Sequence, residues 1–342
     1  MFHKLKLTLN AIKKSKKIKC FFLGNTVKKE SSSFYISDIR ENDKFIYSTI
    51  IIYNDYYAKK ICKIIDGKID FILVDIEKKS TSGHKKILVN LEKCAKTIVK
   101  KSNIYTYKGN DLTVQAADTF ISNFFIKDVR GVGGKNILIL GSGNIGFKIG
   151  LKLVEIGANV FLYRRNKKKL LNLVQTINYI KPIGTASKAK KISDFDKILN
   201  KVDIIIGSTS GKSVILKKHV EKFKKKIFIL DIGKGIFTRD ALELAMEKHT
   251  LFRLDITPGY NAYLENIHST IKINKKNNFQ IVNKNNILFA KKGILTKKGT
   301  LIVDNLKNPK IIYGVSDGFG SFEKLSLQQL KKLEYKMKLN EK

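Results

Sequence analysis

Three glycines carry the clearest chemistry in this chain: Gly141, Gly143 and Gly146 in the stretch ILILGSGNIG. The residues before them, NILIL, have the unbroken apolar character of a buried strand, and those after, NIGFKIGLKLVEIG, have helical period. At such a junction the first glycine permits a tight turn, the second lets backbone approach a pyrophosphate, and the third lets the helix pack close to its strand. The helix start offers unpaired N–H groups and the positive end of its dipole to an anion. Gly141, Ser142, Gly143, Asn144, Ile145 and Gly146 are therefore expected to cradle a dinucleotide.

The next expected strand, ANVFLY, ends where a carboxylate would hold the ribose hydroxyls of NAD. Arg164 and Arg165 stand there instead, in a chain with only six arginines among 67 basic residues. A guanidinium suits a 2′-phosphate and stacks on adenine, so NADP is the expected cofactor and NAD the less favoured one. Two later strand ends extend the cofactor edge. VDIIIGSTSGKSVI brings Ser208, Thr209 and Ser210 toward the nicotinamide ribose, and IFILDIGKG brings Asp231 and Gly233.

A transferred hydride needs a group that handles the accompanying proton. FILVDIEKKSTSGHKK places Asp75, Glu77, Lys78 and Lys79 at the end of an apolar strand, with His84 in the loop beyond. Asp75, Lys78 and Lys79 are candidate catalytic residues, joined by Asp118 of the helix LTVQAADTFISNFF. A solvated turn is the competing reading for the lysines, and Asp111 reads equally well as a helix N-cap. Near the far side of the expected cleft, Asp255, Tyr260 and Asn261 follow a later strand, whereas His249 and His268 show no partner in the pattern. Cys20, Cys62 and Cys94 are too widely spaced for zinc or for a disulfide framework and read as buried free thiols; no metal is expected.

The elements that must position these groups alternate apolar runs with helical segments, which predicts an α/β protein. At 342 residues the chain is long enough for more than one core. The expected division is an N-terminal α/β substrate domain over 1–115, a doubly wound parallel-sheet domain over 116–258, and a segment 259–342 that completes the first domain or forms a subunit contact. The net charge of +38 comes mostly from scattered lysines and reads as a solvated surface in a chain biased toward lysine, isoleucine and asparagine. No apolar run is long enough to span a membrane and no cleavable leader is evident, so a cytoplasmic protein is expected. The expected partner is a small-molecule substrate, with no membrane, no specific nucleic acid, and a homodimer left open.

Taken in order, ILILGSGNIG, VFLYRRN, VDIIIGSTSGKSVI and IFILDIGKGI resemble the cofactor domains of shikimate dehydrogenase, glutamyl-tRNA reductase, adenosylhomocysteinase and methylene-tetrahydrofolate dehydrogenase. The resemblance covers roughly residues 112–256 and implies a Rossmann NAD(P)-binding domain behind a substrate domain, with hydride transfer in the cleft between them. The lysine motif N-V-T-x-P-x-K of shikimate dehydrogenase is absent. KGNDLTVQAAD echoes its G-x-N-T-D, with Asp111 or Asp118 as the equivalent. The expected function is an NADP-dependent oxidoreductase acting on a small polar metabolite. The alternatives are a regulatory or partner protein that binds NAD(P) without hydride chemistry, and an adenosylhomocysteinase-like enzyme holding NAD tightly.

Overall fold

Continuous apolar runs become the central, parallel strands of two sheets. The computed structural model describes residues 2–26, 34–79, 81–82, 87–209, 211, 213–275, 281–284 and 286–339. In chain order the first part comprises α1 (Phe2–Lys13), β1 (Ile18–Gly24), β2 (Phe34–Ile36), β3 (Arg40–Glu41), β4 (Phe45–Ile52), α2 (Asp55–Ile65) and β5 (Phe71–Asp75). It continues with β6 (Thr81–Ser82), β7 (Ile87–Leu88), α3 (Leu91–Ile98) and β8 (Asn103–Tyr107). Its main sheet has the order β2-β4-β1-β5-β8, with β3 also on β4; β1, β4, β5 and β8 are parallel, and β2 and β3 run antiparallel to β4.

Helices α1, α2 and α3 cover one face of this sheet. Leu5, Leu9 and Ile12 recur at helical spacing on α1, and Ala58, Ile61 and Ile65 on α2; all are buried with Phe21, Leu23, Ile72 and Val74. Each such leucine or isoleucine contributes about 1.5–3 kcal/mol by leaving water. The other face is aromatic. Phe22 lies 4.4 Å from Tyr260 between ring centroids, and Tyr47 donates a hydrogen bond to Asn261 Oδ1 at 2.8 Å.

Helix α4 (Gly109–Phe124) leads from β8 to β9 (Asn136–Leu140), α5 (Asn144–Glu155), β10 (Asn159–Tyr163), α6 (Lys167–Ile180), β11 (Ala189–Ile192), β12 (Ile204–Gly207), α7 (Lys217–Val220), β13 (Phe228–Asp231), α8 (Arg239–Lys248) and β14 (Thr250–Arg253). The sheet is all parallel in the order β11-β10-β9-β12-β13-β14, so the direction of winding reverses beside β9 and opens a crevice at the carboxyl ends. Val114 and Ala117 of α4, Ile149 and Leu153 of α5, and Leu170 and Ile177 of α6 pack on one face; Val220 of α7 and Ala241 and Ala245 of α8 pack on the other.

The chain divides into two compact units, Met1–Ala262 and Tyr263–Lys342, and α9 (Thr257–Lys275) runs across the division. The second unit holds β15 (Val282–Lys284), β16 (Ile287–Lys291), β17 (Leu301–Val303), β18 (Ile312–Ser316), β19 (Phe322–Glu323) and α10 (Leu327–Leu339). These strands form a sheet of their own in sequential order, and the sheet of β1 takes no strand from it among the described residues.

Candidate cofactor and substrate site

The glycine loop is built by close contacts at two of its three glycines. Gly141 has φ +95°, and a Cβ on it would sit 2.7 Å from the carbonyl carbon and oxygen of Ser208. The Ser208 hydroxyl donates to Gly141 O at 2.6 Å, tying the end of β12 to the loop after β9. A Cβ on Gly146 would lie 2.6 Å from both Gly141 O and Ser208 Oγ, so only glycine lets α5 begin this close to the strands. Gly143 is the contrast: it caps α5 with φ −88° and ψ −155°, and an added Cβ would meet nothing within 4 Å. The loop is thus packed from behind and open in front of Gly143, where α5 presents its N–H groups.

A cavity of about 580 Å³ opens there, lined by Gly141, Ser142, Gly143, Tyr163, Arg164, Arg165, Asn166, Ser208 and Thr209 among others. Its size lies in the range of small-molecule and cofactor sites. Among the described residues its lining includes no carboxylate. The two arginines do different things. Arg164 Nη1 donates to the Ser142 carbonyl at 2.6 Å and so braces the glycine loop, whereas Arg165 is exposed and makes no hydrogen bond or ion pair among the described residues. Ser142 is fully buried with its hydroxyl donating to Tyr163 O, which makes it part of the loop frame. Asn144 is exposed on the first turn of α5 and Ile145 is half-buried.

Thr209 and Gly233 are brought together, since a Cβ on Gly233 would fall 2.0 Å from Thr209 O. Asp231 turns inward to its own loop: its carboxylate accepts from the backbone N–H groups of Lys234 at 3.0 Å and Gly235 at 2.6 Å. Those bonds hold Lys234 at φ +63°, so the observed work of Asp231 is to shape the turn. Ser210 lies outside the described residues, as does His84.

In the first sheet, Asp75, Glu77 and Lys79 form a charged knot at the carboxyl end of β5. Lys79 Nζ is 2.8 Å from Asp75 Oδ2 and 2.8 Å from Glu77 Oε2. Glu77 also accepts from the backbone N–H and the side-chain amide of Asn110, each at 2.9 Å, at the start of α4. A Cβ on Gly109 would lie 2.9 Å from Lys79 Nζ, so a glycine at the start of α4 makes room for the ammonium. Burial works to raise the Glu77 carboxyl, but Lys79 and Asn110 together hold it below its ordinary value. Lys78 is exposed beside the knot.

Asp118 is not brought to this lysine. Its carboxylate pairs with Lys152 of α5 at 2.8 Å, and Asp111 pairs with Lys148 of the same helix. Nine residues of α-helix separate Asp118 from Gly109, about 13 Å at the rise of a helix. Sequence reasoning missed Asn110 as the partner of Glu77. It also missed Asn25, just past the end of β1, and Thr49 of β4, polar residues buried at 5% exposure each. Tyr260 packs beside Phe22, and burial raises its hydroxyl, with the Thr49 hydroxyl and Arg40 opposing.

The three cysteines are free and buried. Burial, with Cys94 and Asp66 nearby, pushes the Cys62 thiol up to about 12, and burial with Asp55 pushes Cys94 up to about 11. Burial and Asp70 raise Cys20 as well. Such thiols stay protonated and are poor nucleophiles.

Comparison with known proteins agrees with this geometry where it is strongest. Residues 126–253 match the family described as shikimate / quinate 5-dehydrogenase. A glutamyl-tRNA reductase of Thermosipho melanesiensis is 24% identical over 158 residues, 45% of this chain and 40% of that protein. One from Flavobacterium psychrophilum is 29% identical over 153 residues, 42% of this chain and 34% of that protein. The chain thus spans well under half the length of these curated relatives. Among solved structures, the A chain of dipicolinate synthase from Bacillus subtilis is 14% identical, with 77% of this chain and 82% of that one covered at a TM-score of 0.38.

Proposed function

We propose that this protein is an NADP-dependent oxidoreductase of a small polar metabolite, a reading supported by the match of residues 126–253 to the shikimate / quinate 5-dehydrogenase family. The observation that carries the cofactor choice is Arg165, an exposed guanidinium with no partner among the described residues, on the wall of a cavity whose described lining includes no carboxylate. In this reading the N–H groups beside Gly143 hold the pyrophosphate and Arg165 takes the 2′-phosphate, while Arg164 keeps the loop in shape. Ser208 and Thr209 border the nicotinamide end. The reduced nicotinamide supplies a hydride when bound.

The group proposed to handle the proton is Lys79, an ammonium steadied by two carboxylates at the end of β5. A purified sample screened with NADPH against small carbonyl and imine compounds should oxidise the cofactor with at least one of them. Lys79→Met should then remove turnover while leaving NADPH affinity unchanged. Turnover that survives Lys79→Met would refute the role of Lys79.

One observation favours a second reading, an NADP-binding regulatory protein without hydride chemistry: each charged group of the knot has a partner within it, and the knot also fastens β5 to α4. Tight NADPH binding with no turnover across the same screen would select that reading.

A further inference from the structure

The second unit carries a feature that the cofactor site does not use. Two turns of its sheet lie side by side, one over residues 292–300 after β16 and one over residues 317–321 after β18. They are joined by Ser316 N donating to Thr300 O at 2.8 Å and Gly299 N donating to Ser316 O at 3.0 Å. Each tip presents a large apolar side chain to water: Leu295 is 78% exposed and Phe319 is 93% exposed. The tips adjoin, because a Cβ on Gly320 would lie 3.0 Å from Leu295 Cδ2.

Phe319 is held at its tip by a fixed backbone. Gly318 and Gly320 flank it in the left-handed region, at φ +85° and +100°. Asp317 Oδ1 accepts from the N–H of Phe319 at 2.7 Å and of Ser321 at 3.1 Å. Asp317, beside Phe319, thus shapes the turn itself. Around the tips the stretch KKGILTKK supplies Lys291, Lys292, Lys297 and Lys298 with no acidic residue. Scattered exposed apolar residues are ordinary on a protein surface, but an adjoining pair on braced turns inside a lysine collar is a built surface.

We propose that this edge of the second unit docks on an anionic phospholipid bilayer, with Leu295 and Phe319 entering the headgroup boundary and the lysines meeting lipid phosphates. An aliphatic and an aromatic side chain at one depth suit an acyl boundary, and lysine suits a diffuse negative surface. A single-stranded nucleic acid would draw on stacking, which Leu295 cannot provide. The absence of a helix able to span a bilayer among the described residues does not bear on such peripheral contact. The proposal stands independently of the cofactor reading.

The test is co-sedimentation of the full chain with phosphatidylcholine vesicles, with and without phosphatidylglycerol, at physiological salt. Wild type should partition onto the anionic vesicles. Leu295→Asp with Phe319→Asp should weaken partition by about ten-fold or more, and Lys297→Gln with Lys298→Gln should weaken it and flatten its salt dependence. Because the replaced apolar side chains lie mostly in water, thermal melts of the tip variant should match wild type and establish that it is folded. Absence of binding to the anionic vesicles would overturn the proposal. So would binding that the tip variant retains, which would assign it to the general positive charge. Loss of binding to single-stranded RNA on Phe319→Asp alone, without loss of vesicle binding, would also overturn it.

Discussion

Gly143 and Gly146 stand three residues apart in one motif, yet their surroundings predict opposite consequences for the same substitution. In Gly146→Ala the new methyl would lie 2.6 Å from Gly141 O and from Ser208 Oγ, well inside contact distance of one backbone and one side-chain oxygen. Such overpacking costs about 1–3 kcal/mol. Alanine returns up to ~1 kcal/mol over glycine inside a helix. With contacts this short the cost lies toward ~2–3 kcal/mol, so the net loss of about 1–2 kcal/mol should lower the melting temperature by roughly 2–8 °C. In Gly143→Ala the methyl meets nothing within 4 Å of the protein, so the fold should lose no more than the ~1 kcal/mol of a poorer N-cap. The methyl would instead occupy the approach to the helix N–H groups and weaken dinucleotide binding by about ten-fold or more, which is ~1.4 kcal/mol or more. Thermal melts and NADPH titration of both variants separate the two effects. A folded Gly143→Ala protein that binds NADPH like wild type would refute the placement of the pyrophosphate there.

The arginines should also divide. Arg165→Ala should weaken NADPH by about ten-fold and leave NADH unchanged, whereas Arg164→Ala, which removes the brace on Ser142, should weaken both; calorimetry with each cofactor reads the difference. Lys79→Met leaves two carboxylates facing each other at the end of β5, with Asp75 buried. It should cost about 1–3 kcal/mol, below the ~3–5 kcal/mol of a fully buried pair because Lys79 keeps contact with water, as urea denaturation would show. Acid should weaken the dinucleotide domain through two histidines. Burial, together with nearby lysines, lowers the pKa of His219 and of His249 below the unfolded value; Asp196 opposes this at His219. Their stabilisation is therefore full above an unfolded pKa of ~6.5 and lost as pH falls through the lower folded values. Melting temperatures should drop between about pH 7 and about pH 5, and less steeply in His249→Gln. Thiol reagents should modify Cys20, Cys62 and Cys94 slowly in the folded protein and rapidly after denaturation, because burial raises all three.

Strands made of continuous apolar runs were the most legible part of the sequence. NILIL and ANVFLY become β9 and β10, and IKCFFLG becomes β1, with bounds that the apolar runs already mark. Elements whose apolar residues are diluted by lysine were hidden. α1 reads as a basic amino terminus until Leu5, Leu9 and Ile12 are seen on one face, and the edge strand β11 contains only AKKI. Pro258 and Gly259, residue types that break a helix interior, stand inside α9 because it begins at Thr257, and proline costs a helix nothing in its first turn. In the site, the glycine loop was readable because backbone geometry demands those residues at that spacing. The pairings of Asp118 with Lys152 and of Glu77 with Asn110 were not, because they depend on how α4 crosses α5 and meets β5. Nor could spacing distinguish Arg164, committed to a backbone carbonyl, from its exposed neighbour.

The central claim is that the crevice beside Gly143 and Arg165 holds NADP. Calorimetric titration of the purified protein with NADPH and NADH at physiological salt tests it most directly. Saturable NADPH binding at least about ten-fold tighter than NADH is the predicted result, equivalent to ~1.4 kcal/mol or more for the 2′-phosphate. Equal affinity for the two, or binding of neither, would contradict it.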